Sequence, residues 1–285
     1  MDRPAPAVRR TVRCWGNACV RLAHRRIGHE TRGSMDPTAS TPSTTATVRR
    51  PTSTRFTRGL GVAVIVGAAW VALFGLVLSP NDALQKTGVR ILYIHVPSAW
   101  LAYLAFIVTG ISSAGYLWKR TRSLVWDRVA GASAEVGVLF MGITLVTGSL
   151  WGSITWGTYW TWDSRLTTTA FLFVTYIGYL AVRGLGGTLH QRARRSAILA
   201  LFAVLEVPLV HFSVKWWRPL HQNESVAEGE LEDMMLFTLF SGIVTFTLLY
   251  VWLVIHRQRT LALDDSVAEH GLDAALAERR QEALQ

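Results

Sequence analysis

Long apolar stretches recur along this chain, separated by short polar ones. Six of them, at about residues 60–79, 92–118, 129–151, 168–187, 196–214 and 235–255, are nearly continuous in aliphatic and aromatic side chains. Each reaches or approaches the ~20 residues with which a helix crosses the hydrocarbon core of a bilayer. The fifth is the most interrupted, by Glu206 and Pro208. The pattern predicts an all-α, polytopic integral membrane protein with six transmembrane helices within residues 59–256. Ahead of it, residues 1–58 carry twelve Arg among many Thr, Ser, Ala and Pro and no sustained apolar run. That extension is expected to be disordered, and it is too polar for a secretory signal peptide. Met35 offers a second start position, so residues 1–34 need not be translated. Residues 257–285 read as a tail with a short amphipathic or frayed helix.

Composition agrees with a membrane protein. Hydrophobic residues make up 50% of the chain and charged residues 17%, against about 25% charged in soluble domains. One soluble core is excluded, as is disorder over most of the length. The only cysteines, Cys14 and Cys19, lie ahead of every apolar stretch. The membrane part therefore has neither a disulfide network nor a thiol active site of its own.

The net charge of +10 is explained by topology. Segments 1–58, 119–128, 183–195 and 256–285 hold 24 of the 29 basic residues. The alternate segments hold only Lys86, Arg90, Arg165, Lys215 and Arg218. The positive-inside rule then places both termini in the cytoplasm. The loops at 80–91, 152–167 and 215–234 face outward, the last being acidic with Glu224, Glu228, Glu230, Glu232 and Asp233. Nucleic acid is not needed to account for the arginines, and no phosphate-cradling glycine loop is present.

This orientation sorts the eight histidines. His24, His29, His190, His256 and His270 fall on the cytoplasmic side; His95, His211 and His221 fall outside. His95 precedes Pro97 at the start of the second span, and His211 closes the fifth. Two helices thus bring an imidazole to the same rim. Imidazole is the commonest neutral metal ligand, and two opposed imidazoles can hold a haem iron from both faces. Between them lies the segment Trp151-Gly-Ser-Ile-Thr-Trp156-Gly-Thr-Tyr-Trp160-Thr-Trp162-Asp163-Ser-Arg165. Trp151, Trp156, Trp160, Trp162, Trp216 and Trp217, half of the twelve Trp, crowd one rim, whereas an interfacial belt occupies both. Trp156 and Trp160 are spaced to share a helical face. Indole faces suit a flat macrocycle, and Arg165, Lys215 or Arg218 suit its carboxylates. Asp163 is expected to brace Arg165 or a loop amide. Glu135 and Glu206, inside spans, are expected to be buried in the bundle with a partner. For Glu206, an outer carboxylate to His211 and a structural or proton-handling role stay equally open.

Three segments carry a resemblance to a known family. Trp156-Gly-Thr-Tyr-Trp-Thr-Trp-Asp-Ser-Arg-Leu-Thr resembles the tryptophan-rich "WWD" signature of haem-handling proteins. Tyr93-Ile-His-Val-Pro-Ser-Ala and Val207-Pro-Leu-Val-His-Phe-Ser-Val-Lys-Trp-Trp-Arg-Pro-Leu-His-Gln resemble CcmC, the haem-handling membrane subunit of cytochrome c maturation. The resemblance spans about residues 60–255, though the N-terminal extension and Glu206 depart from the family pattern. It implies that His95 and His211 are axial ligands of a non-covalently bound haem b. It also implies that Trp156, Trp160, Trp162, Asp163 and Arg165 contact haem and support its delivery, with Trp151, Trp216 and Trp217 alongside. The implied partners are the haem chaperone CcmE, the small membrane subunit CcmD and the ATP-driven CcmA–CcmB pair. The implied setting is the bacterial inner membrane with the haem site on its periplasmic side. The implied role is haem transfer rather than turnover catalysis. Two alternatives stay open: a CcsA-type haem lyase acting directly on apocytochrome c, and a haem transporter subunit. A respiratory haem b subunit is disfavoured, because no span carries a deep histidine.

Overall fold

The computed structural model describes residues 54–81, 85–217 and 231–282. The expectations for the segment up to residue 53, for Cys14, Cys19 and Met35, and for Arg218, His221, Glu224, Glu228 and Glu230 lie outside these residues.

Helix α1 (Arg55–Ala72) opens on a reciprocal cap, the Thr54 and Thr57 hydroxyls each accepting the other's backbone N–H. It continues through a widened turn, Leu73–Leu78. A tight helical turn, Thr87–Ile91, leads straight into α2 (Leu92–Leu117). Helix α3 (Leu124–Trp156) starts on the Ser123 hydroxyl and stops at Gly157. There φ is 73°, a left-handed conformation that glycine adopts without penalty. Helix α4 (Ser164–Gly184) starts on the Asp163 carboxylate, and α5 (Leu189–Ala203) on a Thr188–Gln191 capping box. Helices α6 (Glu206–Trp217) and α7 (Asp233–Glu282) complete the chain. Among the described residues six helical stretches are long and apolar enough to span a membrane. The protein is an all-α polytopic membrane protein, as the apolar runs predict.

The structure changes three details. Helix α3 has 33 residues, about 50 Å of helix against a hydrocarbon core of about 30 Å. It overruns the predicted span at both ends, so the first third of the expected 151–167 loop is helical. The fifth span is two helices: Pro208 has no N–H to give to the Val204 carbonyl, which accepts from Val207 N–H at 3.2 Å instead. The expected tail helix is not separate but continues the sixth span, α7 running for 50 residues.

Helix α2 packs most extensively on α3 and also meets α5 and α7, while α4 packs on α5 and α6. Their shared core holds Leu101, Phe106, Met141, Leu172, Tyr176 and Val210. Phe106 stacks on Tyr176 with ring centres 3.7 Å apart. At the end where α3 begins and α4 ends, ion pairs join four helices. Arg183 grips Asp127 with two bonds of 2.5 and 2.9 Å. Arg192 bridges Asp127 and Asp265 at 3.1 and 2.9 Å, and Arg128 reaches Asp265 at 3.2 Å. Glu135 does have a partner, Arg257 of α7.

Candidate functional site

At the other end of the bundle, α2, α3 and the start of α4 enclose a cavity of about 750 Å³, its open mouth included. Its wall combines His95, Ala99 and Tyr103 of α2, Thr144, Gly148, Trp151, Gly152, Thr155 and Trp156 of α3, and Arg165, Leu166 and Thr169 of α4. The contributions follow helical spacing. On α3, positions 144, 148, 151, 152 and 155 fall on one face, so the cavity side of that helix is a stripe of small, hydroxyl and indole groups.

His95 sits in the second turn of α2. Its Nδ1 lies 3.0 Å from the Thr147 hydroxyl of α3, and its ring meets the edge of Trp151 at 5.7 Å and 72°. Gly148 faces the same imidazole: a Cβ there would stand 2.9 Å from His95 Cε1. The α2–α3 contact is therefore close because position 148 has no side chain. Trp151 is oriented in turn by its indole N–H, which donates to Gln85 Oε1 at 2.6 Å.

Arg165 reaches the cavity because the chain reverses tightly before it. The Ser149 hydroxyl ties the loop back by donating to the Tyr159 carbonyl at 2.7 Å. Asp163 Oδ1 then accepts the Leu166 N–H at 2.8 Å and caps α4. Arg165 is thus a cation in the first turn of a helix, where the backbone dipole opposes positive charge. Helix stability does not explain its place; the cavity does. Its guanidinium adjoins the Tyr103 hydroxyl and acts electrostatically on His95.

Of the residues singled out in the sequence, His95, Trp151, Trp156 and Arg165 line this one cavity. The others do not. His211 lies in the middle of α6 rather than at its end, is exposed, and sets its ring against the edge of Phe212 at 5.1 Å. Trp160 and Trp162 meet edge to face at 5.7 Å, with Trp162 86% exposed. Trp216 and Trp217 are exposed at the end of α6. The helical face expected for Trp156 and Trp160 does not exist, because α3 ends between them at Gly157. Asp163 braces a backbone amide, though that of Leu166 in the first turn of α4 rather than one in a loop. Lys215 approaches the Phe212 ring at 5.8 Å. Tyr103, Thr147, Gly148, Gln85 and Thr169 went unread. Only the stripe on α3 was visible in one dimension, as recurring Thr and Gly within an apolar helix.

The cavity gathers one imidazole, two indoles and one guanidinium from the quoted motifs, and comparison with known proteins decides the family. Residues 40–272 match the model of the family described as heme exporter protein C, CcmC. The chain belongs to that family. A CcmC relative named heme exporter protein C, from Bradyrhizobium diazoefficiens, is 38% identical over 66% of this chain and 72% of its own length. One of the same name from Haemophilus influenzae is 35% identical over 68% of this chain and 78% of its own. A ccmC-like mitochondrial protein of cytochrome c biosynthesis from Arabidopsis thaliana is 34% identical over 68% and 74% respectively. The CcmC match takes in every residue of the cavity wall.

Proposed function

We propose that this protein holds haem b non-covalently at the cavity between α2, α3 and α4 and passes it to the haem chaperone CcmE. The family supports the coarser part of this reading, haem handling in cytochrome c maturation. One observation carries the finer part: His95 faces a mostly apolar cavity that also presents Trp151, Trp156 and Arg165.

Each group has a use there. The imidazole offers a neutral nitrogen to iron. The indole faces offer flat apolar area to a porphyrin. The guanidinium offers charge-assisted bonds to a propionate. Haem, when bound, supplies the iron that both imidazoles would ligate; the protein's part is to bind, orient and present. On this reading His211 would be the second residue to hold the iron. It stands outside the cavity wall on α6, beyond the break at Val204–Leu205. Trp160, Trp162, Asp163, Trp216 and Trp217 form the remainder of the haem-contacting rim, and the most exposed of them meet the chaperone.

Sidedness follows from charge. The Asp127–Arg183 end of the bundle carries Arg120, Arg122, Arg128, Arg192 and Arg194, and the cavity end carries few cations. The basic end is cytoplasmic, and the cavity faces the periplasm of a bacterial inner membrane. CcmD and the CcmA–CcmB pair are the companions in that membrane.

The test is an absorption spectrum, oxidised and reduced, of the purified protein and of its His95→Ala and His211→Ala variants, paired with loading of CcmE. A bis-imidazole spectrum that each substitution abolishes is the expected result. Unchanged haem content and chaperone loading in both variants would sink the assignment.

A further inference from the structure

We propose that Thr147 is a positioning residue that fixes which ring nitrogen of His95 is free to bind a ligand. Thr147 is not part of the cavity wall; it stands behind the imidazole. Its hydroxyl donates to the Ile143 carbonyl at 2.7 Å, and the Thr144 carbonyl is the other backbone acceptor in reach, at 3.2 Å. A hydroxyl has one proton to give. With that proton committed to its own helix, the Thr147 oxygen meets His95 Nδ1, 3.0 Å away, as an acceptor. The proton in that contact therefore belongs to the imidazole.

A neutral imidazole carries one N–H. With it on Nδ1, the lone pair is on Nε2. The ring cannot readily swivel to exchange the two nitrogens. Trp151 closes one side at 5.7 Å, and the Gly148 backbone lies against Cε1. The Thr144 carbonyl is a further hydrogen-bond acceptor beside the imidazole.

The proposal rests on the reading of His95 as an iron ligand for its consequence, though not for its geometry. Metal-ligating imidazoles commonly donate their second N–H to an outer partner, which sets the tautomer and raises the basicity of the ligating nitrogen. Thr147 gives His95 that partner from a helix 52 residues further along the chain. A more basic Nε2 favours ferric over ferrous iron.

Two measurements on the full chain in lipid nanodiscs test this. The first needs no haem. In protein labelled with 13C and 15N at histidine, the His95 signals, identified by their loss in His95→Ala, report the tautomer by solid-state NMR. The Nδ1–H form is expected in the wild type and in Thr147→Ser, and a mixture in Thr147→Val. An Nε2–H form in the wild type overturns the proposal. So does an unchanged tautomer in Thr147→Val.

The second measurement is a redox titration of the haem-loaded protein. Loss of an outer partner typically costs about 10–100-fold in metal affinity. If Thr147→Val loses about tenfold more affinity for ferric than for ferrous haem, its midpoint potential rises by about 59 mV, and Thr147→Ser restores it. A potential unmoved in Thr147→Val sinks the proposal while leaving ligation intact. A haem spectrum unmoved in His95→Ala instead sinks the ligation reading, and the NMR result then judges the tautomer alone.

Discussion

The two ends of this helix bundle treat polar groups in opposite ways. At the Asp127 end, charge is saturated: two carboxylates and three guanidiniums from α3, α4, α5 and α7 are knit into one network. Asp127 and Arg183 are almost sealed from solvent, at 3% and 8% exposure. At the His95 end, one cation and one imidazole line a cavity, the guanidinium beside the Tyr103 hydroxyl and the imidazole beside that of Thr147. The first arrangement holds helices together; the second keeps a site open. Burying a charge costs several kcal/mol unless it is paired, so pairing is what the closed end must supply.

Breaking the closed end should have the largest effect. In Asp127→Ala the Arg183 guanidinium stays buried and loses both of its charge-assisted bonds. Removing one partner of a buried pair costs about 3–5 kcal/mol, and Arg192 loses one of its two carboxylates as well. Equilibrium unfolding in mixed micelles should show that loss, with haem binding retained in whatever fraction is folded. Equal damage to haem binding at temperatures where the bundle stays folded would contradict the division of labour between the two ends.

Filling the open end should do the reverse. In Gly148→Ala the new methyl would stand 2.9 Å from His95 Cε1, with Nδ1 at 3.5 Å. The imidazole must turn away from Thr147 and Trp151 to accommodate it. The backbone gains, because alanine exceeds glycine in helix preference by about 1 kcal/mol. The expected outcome is an unfolding free energy within about 1 kcal/mol of the wild type and haem affinity lowered about tenfold, the low end for losing an outer partner. Stability and ligand binding are thereby uncoupled in one substitution. A variant that unfolds easily but still binds haem would show that Gly148 serves packing and not the site.

The same contrast explains what could be read from one dimension. Six spans were legible because ~20 consecutive apolar residues are a signal that neighbours cannot cancel. The break in the fifth was legible because Pro208 removes a donor wherever it sits. Asp163 was legible as a brace, since an aspartate three residues before a free N–H is a cap. The end of α3 was not: Trp, Gly, Ser and Thr after residue 150 read as a loop, yet packing carried the helix to Trp156, and Gly157 stopped it only then. The shared face assigned to Trp156 and Trp160 failed at the same boundary, because the helix stops between them. The support of His95 was hidden for a different reason. Thr147, Gly148 and Gln85 become its surroundings only when α2, α3 and the turn before α2 are assembled. No spacing along the chain encodes such a contact.

The smallest expected effect lies between the two ends, at the Glu135–Arg257 pair. Its geometry resembles the Asp127–Arg183 pair, with two parallel bonds, the Arg257 Nη2–Glu135 Oε1 contact being 2.9 Å. What differs is exposure: 38% for the Arg257 side chain and 31% for Glu135. A guanidinium that open can extend along its own aliphatic stem to a more polar layer when its partner goes. Glu135→Gln should therefore cost under about 1 kcal/mol, the range of exposed pairs rather than buried ones. A double-mutant cycle with Arg257→Gln, read by unfolding in mixed micelles, measures the coupling directly. A coupling as large as that of the Asp127–Arg183 pair would mean that burial does not decide the strength of ion pairs in this bundle. The comparison between its two ends would then have to rest on the number of partners each charge has, not on how deeply it is enclosed.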